Sequence, residues 1–255
     1  LGESTGVVNR VAAVLRVIAE RGVVGASTTD VARHSGVPRP SAHRLLQALH
    51  AQGLVDRDQR SGRWYLGPEV YILGAAAAPR FDVTEKAVQC VHRLAIETGE
   101  SAFFSLRRGD HTVVMLQEDG DFPIRSHVLH EGARFPLGVV SAGLAVLAYL
   151  SDDYIQTYLD RVDLVTRWGQ AHSTAAVRAG IAETRRRGWA TNPGLVVPGS
   201  WGMAAAVFDA SRSPIGALTI TGIEQRFGDD RRGGLGQLLL RESNHLSKLI
   251  VGAPR

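Results

Sequence analysis

Cysteine is almost absent from this 255-residue chain, which has Cys90 alone. An intrachain disulfide, a CxxC redox pair and a multi-cysteine zinc site are therefore excluded, and a reducing cytoplasm is the expected compartment. Lysine is nearly as scarce, with only Lys86 and Lys248. A P-loop needs a lysine directly after a glycine, and neither lysine has one before it. The strings GxGxxG and HExxH are missing too, which removes the simplest signatures of dinucleotide binding and zincin proteolysis. The most apolar stretch, residues 138–150, is about 13 residues long, short of the ~20 that a bilayer span needs. Residues 1–10 lack a basic region followed by an apolar run, so they do not read as a signal peptide. There is no internal repeat and no low-complexity tract. No catalytic residue, cofactor or membrane association is expected. Of the histidines, His127 and His130 with Glu131 come nearest to a metal set. Alternation on a strand would point the two rings to opposite faces, so no metal is expected either.

What charge there is lies unevenly. The net charge is +4, and residues 1–80 hold all of it, with 10 arginines against 6 acids. Residues 81–255 balance 19 basic against 19 acidic side chains. A basic module joined to a neutral one suggests a polyanion reader attached to something else.

The basic third has a readable order. Val7, Val8, Val11, Val14, Leu15, Val17 and Ile18 recur at helical spacing until Gly22, which predicts a helix over 7–21. Thr28 or Thr29 can cap a short second helix ending at Gly36. After Val37–Pro38, Pro40 suits the first turn of a third helix reaching about Gln52, with Gly53 as its stop. Ala42, Leu45, Leu46 and Leu49 make its apolar stripe; Arg39, Ser41, His43, Arg44 and Gln47 face the other way. Strands at 54–56 and 63–66 can pair around a turn at 59–62. The whole is a helix-turn-helix with a basic wing. Such a third helix enters the major groove, and wing arginines hold flanking phosphates. The candidate DNA contacts are Thr28, Thr29, Arg39, Ser41, His43, Arg44, Arg57, Arg60 and Arg63.

Here the chain resembles the IclR family of bacterial transcription regulators. The resemblance rests on Gly36-Val37-Pro38-Arg39, His43-Arg44-Leu45-Leu46, Leu49, Gly53, the string Arg63-Trp64-Tyr65-Leu66-Gly67, and Leu73-Gly74. Pro40 departs from it, standing where the family often has Ser or Thr. Residues 68–78 are alanine-rich and close with Pro79; Val70, Ile72, Leu73, Ala76 and Ala77 fit a helix that buries one side. The resemblance implies that this helix joins two domains and often helps to pair subunits. The boundaries so read are 1–67 for a winged helix-turn-helix, 68–80 for a linker helix and 81–255 for an effector-binding domain.

In the remaining part, Asp82 and Glu85 fit a capping box for a helix over 83–98. Residues 103–106 and 113–116 form a hairpin, a third strand fits 124–129, and helices fit 141–150, 152–160 and 174–187. Strands fit 203–208 and 215–221, and a last helix runs from about 229 to 250. Hairpins alternating with helices give an α+β fold rather than a doubly wound sheet. This half also resembles the family's GAF-like effector domain, through Gly132–Leu137, Ser141-Ala142-Gly143, Arg187-Gly188-Trp189-Ala190, Met203-Ala204-Ala205, Val207-Phe208-Asp209 and residues 215–222. The implied architecture is an antiparallel sheet flanked by helices.

The same resemblance implies a small-molecule pocket formed by the amides of Ser141 and Ala142, with Asn192, Gly202, Thr219 and Thr221. Free N–H groups at a helix start favour a carboxylate. Thr219 and Thr221, two apart on a strand, face one side. Relatives that bind small keto-acids use Asp, Cys and two Ser at these positions, and often a lysine where this chain has Leu144. Their replacement should make room and remove charge, so the expected effector is a bulkier organic acid, an aromatic one for example. Trp201, Met203 and Met115 are candidate apolar walls. The sequence thus reads as a ligand-responsive, sequence-specific repressor whose partners are an operator duplex, a small effector and further copies of itself, as a homodimer or homotetramer. The alternatives are a DNA-tethered enzyme and a protein-interaction module built on the C-terminal half.

Overall fold

A computed structural model describes residues 6–78, 82–124 and 128–252. The fold is α+β and divides into two compact units, residues 1–81 and 82–255.

In the first unit, α1 (Val7–Arg21), α2 (Thr28–Ser35) and α3 (Arg39–Ala51) precede a two-stranded antiparallel hairpin, β1 (Val55–Arg57) with β2 (Trp64–Leu66). Val14, Val17 and Ile18 from α1, Val31 from α2, Ala42, Leu46 and Leu49 from α3, and Trp64 from β2 form its core. The cap of α2 is Ser27, not Thr28 or Thr29. The Ser27 hydroxyl accepts from Asp30 N–H at 3.0 Å, and the Asp30 carboxylate reaches back to the Ser27 N–H at 3.3 Å, completing a capping box. Thr28 is already helical, and its hydroxyl accepts the Trp64 indole N–H at 3.0 Å. The glycine that ends the wing has a steric reason. A Cβ on Gly67 would stand 2.1 Å from the Gly53 carbonyl oxygen, so no side chain fits there.

Helix α4 (Pro68–Ala77) follows. The expected buried side is not found: none of its residues is buried, and Tyr71, Ile72 and Leu73 are each more than half exposed. Pro79 lies outside the described residues.

The second unit is a six-stranded sheet, antiparallel throughout, in the order β5-β4-β3-β8-β7-β6. Its strands are β3 (Ser101–Arg108), β4 (His111–Glu118), β5 (Arg134–Pro136), β6 (Ala190–Pro193), β7 (Ser200–Phe208) and β8 (Pro214–Ile223). Helices α5 (Asp82–Thr98) and α10 (Asp229–Val251) pack on one face. On the other lie α6 (Ser141–Ala148), α7 (Asp152–Arg161) and α9 (Thr174–Arg187), with the short α8 (Val165–Trp168) and a 3-10 turn, Gln170–His172, leading into α9. Strand alternation sorts the side chains. Leu218 and Ile220 join the α5/α10 core, while Ala217 and Phe103 join the α6 core.

Several expectations shift. The strand read over 124–129 is not the third strand: 125–127 lie outside the described residues, and the edge strand is Arg134–Pro136. Gly132, at φ 82°, turns the chain so that residues 134–136 pair with 111–113 of β4. Asp82 stands inside α5, with its carboxylate 2.7 Å from Lys86 Nζ, rather than ahead of the helix as a cap. Met203 and Met115 belong to the α5/α10 core, away from the proposed pocket face.

Candidate functional site

The first candidate is a groove in the N-terminal unit. Thr28 from the start of α2, Arg39, Pro40, His43 and Arg44 from the N-terminal half of α3, and Arg57 from the wing line an open concavity of about 830 Å³. Leu46 and Leu49 bury the opposite stripe of α3, which leaves His43 and Arg44 exposed. No carboxylate is in the lining. The nearby acids are turned elsewhere. Asp58 accepts from the Ser61 N–H and hydroxyl, both at 2.7 Å, and the backbone bond above all holds its carboxyl below the usual range. Asp30 is held low first by the Ser27 hydroxyl. Arg57 is fixed with its guanidinium carbon 5.3 Å from the centre of the Trp64 ring.

Of the nine residues read from sequence, the groove brings together Thr28, Arg39, His43, Arg44 and Arg57. Thr29 is exposed beside it, Ser41 is half-buried on α3, and Arg60 is exposed at the wing tip. Arg63 differs: its Nη1 donates to the Gly25 carbonyl at 3.0 Å and approaches that of Val24 at 3.4 Å, so it braces the wing against the end of α1.

The second candidate is a cavity in the C-terminal unit, bounded by Val128, Leu129, Val140, Ser141, Asn192, Val196, Val197, Ser200, Trp201, Gly202 and Thr221. Among the described residues its lining holds no charged side chain, no histidine and no cysteine. Four of the six residues read from sequence line it: Ser141, Asn192, Gly202 and Thr221. Ala142 and Thr219 are buried outside the lining. The hydroxyls of Thr219 and Thr221 are buried without a hydrogen-bond partner. A buried hydroxyl left unpaired costs about 1–3 kcal/mol, which makes Thr221, the one of the two that lines the cavity, a candidate for a contact made from outside the chain. Gly143 allows α6 to start where it does: a Cβ there would come within 3.2 Å of the backbone of 136–138.

The expected gain of room is not seen. The free volume is about 20 Å³, enough for roughly one water. A Cβ on Gly202 would already approach Ser141 Oγ to 3.0 Å. Val196 and Val197 of the 194–199 loop stand in the cavity wall. Asn192 is engaged as well, with Nδ2 donating to the Val139 carbonyl at 2.8 Å and Oδ1 accepting from Leu195 N–H at 2.9 Å. Sequence reasoning missed Val196 and Val197, and also His172, whose ring is bonded to the Val139 carbonyl beside the lining. An apolar pair in a loop and a lone histidine carry no local signal. Among the described residues no group of three His, Cys, Asp or Glu could hold a metal ion, and His127 lies outside them. No helix among them is long and apolar enough to cross a membrane.

Comparison with known proteins covers both units. Residues 75–248 match the family profile described as bacterial transcriptional regulator IclR C-terminal, and residues 7–59 match the IclR helix-turn-helix domain. The chain is 25% identical to the transcriptional repressor IclR of Escherichia coli K12 over 229 residues, 88% of this chain and 82% of that one. It is 29% identical to the glycerol operon regulatory protein of Streptomyces griseus over 222 residues, 87% of this chain and 86% of that one. Its fold is similar to that of an IclR homologue from Microbacterium hydrocarbonoxydans crystallised with 4-hydroxybenzoate. The TM-score is 0.75 at 19% identity, covering 95% of this chain and 98% of that one.

Proposed function

The chain belongs to the IclR family of bacterial transcriptional regulators, and from that premise we propose that it is a ligand-responsive repressor acting on a specific operator duplex. The relatives it matches are named as regulators and repressors, not as enzymes. Residues 1–67 read DNA, 68–80 connect, and 81–255 sense. The observation that carries this reading is the groove in which Arg39, His43 and Arg44 of α3 face Arg57 of the wing with no acid between them. Arg39, Ser41, His43 and Arg44 reach base edges, with Arg44 suited to a guanine. Thr28, Thr29, Arg57 and Arg60 take phosphates; Arg63 does so only by leaving the Gly25 carbonyl. Its place is the cytoplasm, where the operator is.

In the second unit the amides of Ser141 and Ala142 receive a carboxylate at the start of α6. Thr221 and Thr219 supply hydroxyls, Asn192 a neutral polar edge, and Gly202 clearance. The uncharged, largely aliphatic lining favours a mono-acid with an apolar or aromatic body, and the complex of the Microbacterium homologue with 4-hydroxybenzoate supports that class. The cavity must widen to admit it, so the ligand selects a second conformation. A coupling of about 1–3 kcal/mol then changes operator affinity roughly 5–150-fold. The bare apolar surface of Tyr71, Ile72 and Leu73 on α4 suits pairing of two copies, consistent with a dimer on two half-sites and with tetramers built from such dimers.

Gel shift on the DNA flanking its own gene, with and without acids found by thermal-shift screening, tests the reading. Binding that Arg44→Ala lowers at least tenfold, about 1.4 kcal/mol, and that one acid releases is the expected result. Equal binding by Arg44→Ala overturns the assignment of α3.

A further inference from the structure

We propose that His172 is a positioning residue for the start of α6, and that protonation of its ring is coupled to the cavity through the Val139 carbonyl. This rests on the reading of that helix start as the carboxylate site. His172 is buried, and each ring nitrogen lies on a main-chain carbonyl: Nδ1 on Trp168 O at 2.9 Å and Nε2 on Val139 O at 3.0 Å. A neutral imidazole has one N–H and satisfies one of these; a ring protonated at both nitrogens satisfies both. Val139 O also accepts from Asn192 Nδ2 at 2.8 Å. One carbonyl is thus held from two sides, by a cavity residue and by a titratable group behind the wall.

That carbonyl stands just before Val140 and Ser141, which line the cavity and open α6. Donation to the Val139 oxygen polarises the peptide it shares with the Val140 N–H, and the positive ring behind the wall adds a favourable field for an anion at the Ser141 and Ala142 amides that follow. Among the described residues the lining offers no cation of its own, so a positive ring one carbonyl away would add charge that favours a bound acid. The charged groups on the elements packed against His172 do not substitute for it. Arg167 on α8 lies over the Trp168 ring at 4.9 Å, and Arg178 on α9 donates to Gln156. Asp163, ahead of α8, is bonded to Thr166, and Glu183 on α9 is paired with Arg186 and Arg187. Neither α6 nor β6 carries an ionisable side chain. Among the described residues no carboxylate pairs with the ring.

The coupling has a sign. A doubly protonated ring strengthens the anion site, and by reciprocity a bound carboxylate favours the protonated ring, so affinity for an acid falls as pH rises. The test uses the isotopically labelled full chain, observed by NMR from pH 5.5 to 8. The Val139 carbonyl carbon and the Asn192 side-chain amide should titrate with the His172 ring nitrogens. His172→Gln should abolish that movement while the other histidines still titrate. A ring that stays a single neutral tautomer across the range, or one that titrates without moving Val139, overturns the proposal, and this holds even if the variant fails to fold. With sodium 4-hydroxybenzoate as probe, affinity should drop about tenfold over the range; a pH-independent affinity also overturns it. Coupled titration with no binding of the probe leaves the His172 link standing and counts instead against the carboxylate reading.

Discussion

At the scale of single residues, the two candidate sites show different kinds of incompleteness. In the groove, cations stand without acids; in the cavity, the Thr221 hydroxyl stands without a partner. Thr221 makes the sharper case because its unpartnered hydroxyl both lines the cavity and is 95% buried, with 5% exposure. Replacing it by the isosteric valine removes only the hydroxyl. Thr221→Val should leave the thermal stability of the ligand-free chain unchanged or raise it by up to about 1 kcal/mol, since no bond is lost. The same change should weaken binding of an acid identified by screening while operator affinity stays the same. Unchanged acid affinity in calorimetry would remove Thr221 from the site. Asn192 behaves differently. Its two bonds to Val139 and Leu195 are met in full, so Asn192→Asp removes a donor that the Val139 carbonyl uses.

At the scale of elements, the sequence was most legible where a pattern is local. The apolar stripes of α1 and α3, the glycine stops and the wing hairpin all stand within a few residues of where periodicity places them. Legibility failed where the cause is distant. The Thr28 hydroxyl, a candidate cap by sequence, instead accepts the Trp64 indole, 36 positions away, and Ser27 caps α2. Strand β6 has four residues and exists through its pairing with β7. Arg63 looked like a phosphate ligand until the Gly25 carbonyl was seen beside it. The cavity is lined by Val196 and Val197 from the 194–199 loop, a placement that no spacing reveals. The Ser27 cap also carries a prediction. Ser27→Ala should cost about 1 kcal/mol, read as roughly fivefold faster amide exchange across 28–35 with little change in the second unit. The Ser27 hydroxyl holds the Asp30 carboxyl below its ordinary value of 3.8. The stabilisation is therefore present above that value and lost as pH falls through the lowered one. Asp30→Asn should remove this acid sensitivity of α2; an unchanged exchange profile at low pH would show the cap to be idle.

At the scale of the whole molecule, the partition of charge is the organising fact. The entire net charge of +4 falls within residues 1–80, and the rest sums to zero. On the reading proposed above, a polyanion would meet the basic unit and a small effector the neutral one. Not every arginine counts toward DNA. Arg33 is paired with Asp30 and Arg63 with main-chain carbonyls, whereas Arg39, Arg44 and Arg60 are exposed and carry no ion pair among the described residues. Arginines that neutralise phosphates release counterions, so the logarithm of affinity should fall linearly with the logarithm of salt, by about 0.9 per phosphate. Arg60→Ala should then flatten that slope by about 0.9 for each copy bound, and weaken operator and random duplex alike. Arg44→Ala should instead erode the ratio between operator and random duplex by about 1–3 kcal/mol. Fluorescence anisotropy at several salt concentrations separates the two, because one variant changes a slope and the other a ratio. If Arg60→Ala changed the ratio and left the slope alone, the wing would be reading bases, and the division of labour between α3 and the hairpin would have to be reversed.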